Sequence, residues 1–169
     1  LKFFSGFKFR DDASLFGEFL SKSQFNVAGF SYGAILAFEF VLNSKERVDT
    51  LQLFSPAFFQ DRDKKFIRTQ LLHFKRDERL YTENFLKNAF FPKDVPSDFV
   101  VGNGTYSDLE RLLRFVWSEE DLNSIVKRGV KIEIFLGEKD KIINSEEAWR
   151  FFKMFGTVCY IKGVGHTLN

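Results

Sequence analysis

Cysteine is almost missing from this chain: Cys159 stands alone among 169 residues, so no internal disulfide can staple it. Cys159 lies in an apolar run, where a buried small hydrophobe is expected. Histidine is nearly as scarce. His73 and His166 are the whole supply, which limits acid–base chemistry to two imidazoles and leaves no spaced His/Cys cluster to bind a metal. Charge of one sign is lacking too. A net charge of +2 is too small to argue for nucleic acid, and no aromatic–basic RNA signature is present. No run reaches the roughly 18–20 apolar residues of a membrane-spanning helix. No charged-then-apolar leader opens the chain, so a cytoplasmic protein with no membrane partner is expected.

Phenylalanine is what the chain has in excess, 24 residues of it. Most must be core, because little else here is both large and apolar; some can line an acyl pocket. The length suits one domain with one main core. There is no internal repeat. Short β-like runs alternate with helical ones, which argues for βαβ units and a parallel sheet. Strands are expected at 1–4, 25–28, 48–54, 131–136 and 157–161. Helices are expected at 13–20, with Asp11 or Asp12 as N-cap, at 33–43, and at 145–155 with Gly156 as its stop. Between residues 57 and 129 strand signals cease and helical periodicity takes over. Such a long insertion is a cap over a site or a separate lobe. Its last helix is announced by Ser118 with Asp121 three residues on, a capping-box pattern.

The chemistry concentrates in Gly29-Phe30-Ser31-Tyr32-Gly33. This is G-x-S-x-G between a strand and a helix, the context a nucleophile elbow requires. The turn is tight, so the residues two before and two after the serine must be small. A helix N-terminus behind Ser31 favours developing negative charge. A serine hydroxyl needs a base within reach. His166, in Gly163-Val164-Gly165-His166 after the last strand, is the candidate, since His73 falls in the insertion. The acid should follow the preceding strand, which leads into Gly137-Glu138-Lys139-Asp140-Lys141. Asp140 is the choice and Glu138 the fallback. It would hold the imidazole tautomer and stabilise the imidazolium. Two backbone N–H groups should form an oxyanion hole: that of Tyr32, directly after the nucleophile, and that of Phe7, in the loop Ser5-Gly6-Phe7.

In this order these residues resemble the α/β-hydrolase superfamily over the whole chain. Within it, the shortness, the Phe3-Phe4-Ser5-Gly6-Phe7 start and the end just past His166 are similar to the compact pimeloyl-[acyl-carrier protein] methyl ester esterases of biotin synthesis, the BioV type. The resemblance implies a minimal α/β-hydrolase fold. About five parallel strands in sequential order form a core of residues 1–56 and 130–169, and residues 57–129 form a helical cap. It implies a serine carboxylesterase that needs no cofactor and cleaves the methyl ester of a pimeloyl chain carried on the phosphopantetheine of acyl carrier protein. The alternatives are another acyl hydrolase (a thioesterase or broad carboxylesterase) or a non-catalytic binding protein on the same fold. The oxyanion-loop His-Gly of larger relatives is Ser5-Gly6 here. Only some 17 residues separate Phe7 from the next strand, so a strand–helix unit is absent.

Carrier proteins are acidic, so clustered cations should receive one. Residues 62–76 hold Arg62, Lys64, Lys65, Arg68, Lys75 and Arg76 against the single acid Asp63. On a helix, Lys64, Arg68 and Lys75 share a narrow arc beside Ile67, Leu71 and Phe74. Right-handed crossovers would place every connecting helix on one side of the sheet. The other face then needs cover from residues 13–20, from the cap, or from a second subunit in a homodimer.

Overall fold

The computed structural model describes all residues, Leu1–Asn169. Five strands, β1 (Lys2–Phe4), β2 (Asn26–Phe30), β3 (Thr50–Phe54), β4 (Lys131–Gly137) and β5 (Thr157–Ile161), form one parallel sheet in sequential order. β1 is therefore an edge, as expected. Six α-helices surround it: α1 (Tyr32–Asn43), α2 (Lys64–Arg76), α3 (Glu78–Phe90), α4 (Tyr106–Arg114), α5 (Glu119–Lys127) and α6 (Ser145–Phe152). None is long and apolar enough to cross a membrane.

Alternation along the strands divides the sheet into two unlike faces. One carries Val27, Leu51, Leu53, Ile132, Ile134 and Leu136, all buried, and packs with Ile35, Phe38 and Val41 of α1 and Ala148 and Phe152 of α6. The other carries Phe30 and Phe54, with half-buried Phe3 and Phe135 packed beside them. Phe16 covers it, its ring 4.5 Å from that of Phe54 and stacked on it, while Phe19 lies 5.3 Å from Phe135. Phe90 and Ala89, from the end of α3, join the same cluster.

The connection between β1 and β2 thus crosses on the face opposite α1. Both connections step the same way across the sheet, so their hands are opposite. The expectation that all connections share one side fails here. A short 3-10 helix, Asp12–Phe16, replaces the expected helix at 13–20. Asp11 offers no capping hydrogen bond, and Asp12 turns its carboxyl inward to the preceding loop. Two phenylalanines from this irregular segment, together with the end of α3, cover the aromatic face.

The cover does not reach the far edge, and the expectation for Cys159 is overturned there: the thiol is exposed. Cys159 lies opposite Phe135 on the outermost strand, on the aromatic face, while Val158 and Tyr160 point to the helices of the other side. An apolar run on an edge strand buries only the half that meets a helix.

The insertion is not a separate lobe. Ile67, Leu71 and Phe74 of α2, Leu109 and Leu112 of α4, Trp117, and Leu122 and Ile125 of α5 belong to the same core as the sheet. Its helices begin on side-chain caps: Asp63 for α2, Asp77 for α3, Thr105 for α4 and Ser118 for α5. Ser118 accepts from the Asp121 N–H at 3.1 Å, but the reciprocal bond that completes a capping box occurs in α4 instead, between Thr105 and Asp108.

Candidate active site

Ser31 sits between β2 and α1 with φ 53° and ψ −114°. A serine at a helix N-cap ordinarily turns its hydroxyl back onto the helix. In this conformation it makes no capping bond, and the hydroxyl is aimed at His166. The flanking glycines are forced by packing. A Cβ on Gly33 would lie 2.0 Å from the Phe4 carbonyl oxygen, and one on Gly29 would lie 2.1 Å from that of Gly33.

His166 Nε2 is 2.9 Å from Ser31 Oγ, and His166 Nδ1 is 2.6 Å from Asp140 Oδ2. The His166 and Asp140 side chains are wholly buried. The other Asp140 oxygen accepts from the N–H groups of Ile142 and Ile143, at 2.7 and 2.9 Å. The carboxylate is thereby oriented from both ends, which fixes the imidazole with its Nδ1 toward the acid. Glu138, the fallback acid, accepts from the Gly163 N–H at 2.9 Å and ties down the loop that carries the histidine. A further anchor was invisible in the sequence. Ser55, fully buried with φ 40°, donates its hydroxyl to the His166 carbonyl at 2.7 Å.

The loop after β1 leaves one amide conspicuously unspent. Gly6 N–H donates to Asp12 Oδ2 at 3.0 Å, Lys8 N–H to the Asn103 carbonyl at 2.8 Å and Phe9 N–H to the Gly6 carbonyl at 3.0 Å. Phe7 N–H has no acceptor in the chain. Tyr32 N–H, at the first position of α1, likewise has no intrahelical acceptor. The Gly102-Asn103-Gly104 segment pairs with this loop in both directions, since Gly102 N–H also donates to the Lys8 carbonyl at 2.9 Å. Lys8 in turn reaches Glu78 of α3 at 2.8 Å.

Ser31 opens onto a cavity of about 630 Å³ walled by α2, α3 and α4. Phe59, Phe66, Leu109, Leu112 and Ile142 give it apolar surface, Arg62, Arg76 and Lys141 give it cations, and His73 adds an imidazole. Of the six cations singled out in the sequence, only Arg62 and Arg76 face this cavity. Lys64, Lys65, Arg68 and Lys75 are exposed, the last lying over the Tyr106 ring at 4.8 Å. Ile67, Leu71 and Phe74 pin the helix down, as the spacing required.

A parallel sheet whose second strand feeds a strained serine at a helix N-terminus, with histidine and acid supplied by later loops, is the α/β-hydrolase fold. The solved structures it is similar to agree. A bromoperoxidase from Bacillus anthracis superimposes with a TM-score of 0.67 at 19% identity, over 85% of this chain and 61% of that one. Naproxen esterase (carboxylesterase NP) from Bacillus subtilis does so with 0.60 at 21% identity, over 85% and 53%. BioG from Haemophilus influenzae matches 98% of this chain and 87% of its own length, with a TM-score of 0.61 at 10% identity. The chain thus spans little more than half of the carboxylesterase but most of BioG. No family model matches the chain, and no curated protein is similar in sequence.

Proposed function

We propose that the protein is a serine carboxylesterase that hydrolyses the methyl ester of a pimeloyl chain carried on acyl carrier protein. The observation that carries the hydrolase reading is the unbroken path Ser31–His166–Asp140 at the floor of a partly apolar cavity. Ser31 Oγ attacks the ester carbonyl while His166 Nε2 takes its proton. The Phe7 and Tyr32 amides receive the oxyanion, the first without an acceptor in the chain and the second without an intrahelical one. Asp140 stabilises the imidazolium. His166 then protonates the departing methanol, and the same nitrogen activates the water that releases the acid from Ser31.

Two observations favour the carrier-borne substrate. The fold follows that of BioG along nearly the whole length of both chains. The cavity joins apolar walls to Arg62 and Arg76, which suits an alkyl chain continuing into an anionic arm. Release of methanol from methyl pimeloyl-carrier protein, followed by gel shift, tests the proposal; the outcome against it is cleavage of a simple acyl-carrier thioester instead. The second reading, a broad carboxylesterase, draws on the carboxylesterase among the similar folds. It expects p-nitrophenyl and alkyl esters to be turned over as well as the carrier substrate. Labelling of Ser31 by a fluorophosphonate separates either enzyme from a binding protein.

A further inference from the structure

Asp12 has no part in the Ser31–His166–Asp140 path, yet it is a carboxyl group only 2% exposed directly behind the loop that carries Phe7. Its Oδ2 accepts from the Gly6 N–H at 3.0 Å, and its Oδ1 is buried without any hydrogen-bond partner. Burial pushes the carboxyl above its ordinary value. A half-satisfied buried carboxyl is a poor source of stability; an apolar side chain of similar volume commonly serves a fold better. What it does supply is orientation.

The amides of residues 6, 8 and 9 are each committed to an acceptor, and only Phe7 is not. The Gly6–Phe7 peptide is planar, so the Phe7 N–H points opposite to the Gly6 carbonyl. That carbonyl is held by the Phe9 N–H, and the residue bearing it is held at its own N–H by Asp12. Asp12 stands on a firm base, because it opens the 3-10 helix whose last residue, Phe16, is fully buried against Phe54 and Phe30.

We propose that Asp12 is a positioning residue for the oxyanion-binding loop: its carboxyl oxygen fixes Gly6 so that the Phe7 N–H faces the oxygen of the reacting ester. The inference rests on the ester-hydrolase reading above. What matters is the acceptor oxygen, not the charge.

The test uses a p-nitrophenyl ester and a trifluoromethyl ketone, which forms an oxyanionic adduct on the serine. Asp12→Ala lowers kcat by about 10- to 100-fold, in the lower range for losing an oxyanion donor. KM for the ester stays within about twofold, while the ketone's inhibition constant rises in step with the loss of kcat/KM. Asp12→Asn, which keeps an acceptor oxygen, recovers most of the activity. A folded Asp12→Ala protein with wild-type kcat and ketone affinity overturns the inference, and so does a folded Asp12→Asn protein as impaired as the alanine variant. Should Asp12→Ala not fold, amide exchange of Gly6 in the unaltered protein decides: protection supports the contact, and free exchange in the native state refutes it. Ser31→Ala measured alongside separates the two ideas. If it stays active the hydrolase reading itself falls, whereas loss there with full activity in Asp12→Ala removes only the role of Asp12.

Discussion

Around Ser31, His166 and Asp140 nearly every polar group is already answered by the protein; across the cavity, on α2 and α3, few are. The imidazole has a partner on both nitrogens, the acid accepts on both oxygens and the His166 carbonyl is held by Ser55. By contrast His73, Arg76, Asn84 and Asn88 line the cavity without a side-chain hydrogen bond to the rest of the chain. Chemistry benefits from groups that need not move when charge develops. Recognition needs groups left open for the ligand to complete. The sheet edge has the first character and the helical wall the second, so substitutions in the two regions should fail in different kinetic parameters.

The largest effects belong to the sheet edge. Ser31→Ala and His166→Ala should each lower kcat by roughly 10⁴-fold or more, with thermal stability little changed for Ser31→Ala. Asp140→Asn should be less severe but still large, because it disturbs the tautomer and removes the acceptor of Nδ1. Steady-state rates on a p-nitrophenyl ester check all three. His73→Ala as the damaging change would erase the contrast, since it would move the base into the insertion.

Next come the cavity cations. Arg62→Glu combined with Arg76→Glu should raise KM for a carrier-bound ester by about tenfold, equivalent to ~1.4 kcal/mol, and leave kcat on a small neutral ester nearly intact. Arg68→Glu with Lys75→Glu, on the exposed side of α2, should act more weakly and lose its effect as salt rises. Equal losses on both substrates from either pair would mean that α2 supports the fold and not the ligand.

Smaller still is Ser55→Ala. It removes one buried hydrogen bond to the His166 carbonyl, a loss of ~1–2 kcal/mol. If the sheet edge is as rigid as its bonds imply, that loss should appear in thermal denaturation together with a fall of a few fold in kcat, and not in KM.

The same division governs what could be read from the sequence. Strand positions, the elbow, His166 and Asp140 are local signals: alternation, a five-residue turn and the glycines around it; sheet order came with the family resemblance. The local signals were legible because each depends on a few neighbours in the chain. The 3-10 helix at Asp12–Phe16 was not, since two adjacent aspartates before a short apolar run read equally well as a helix cap, and only the aromatic face opposite shows why the chain turns inward. Ser55 and Gly102–Asn103 act across 111 and roughly 95 residues, beyond any pattern of spacing. The cation stretch was legible as a helix face, but which cations turn to the cavity depends on how α3 packs beside it.

The smallest expected effect tests whether the α2–α3 wall has a dry seam despite its open side chains. Tyr81 sits between the two helices, its ring 5.6 Å edge-on from Phe74 and its hydroxyl donating to Gln70 at 3.0 Å. Burial pushes its phenol up from 10.0 to about 12. The unfolded chain would ionise the group first. Stability from the neutral phenol is therefore complete below pH 10 and is lost as pH rises through about 12. Tyr81→Phe cannot ionise. It should cost at most about 1 kcal/mol at neutral pH, from the missing hydrogen bond. Its thermal midpoint should then fall less steeply than that of the wild type at alkaline pH. Parallel alkaline slopes in the two proteins would show that water reaches the phenol, and that the wall is open at its seam as well as on its cavity side.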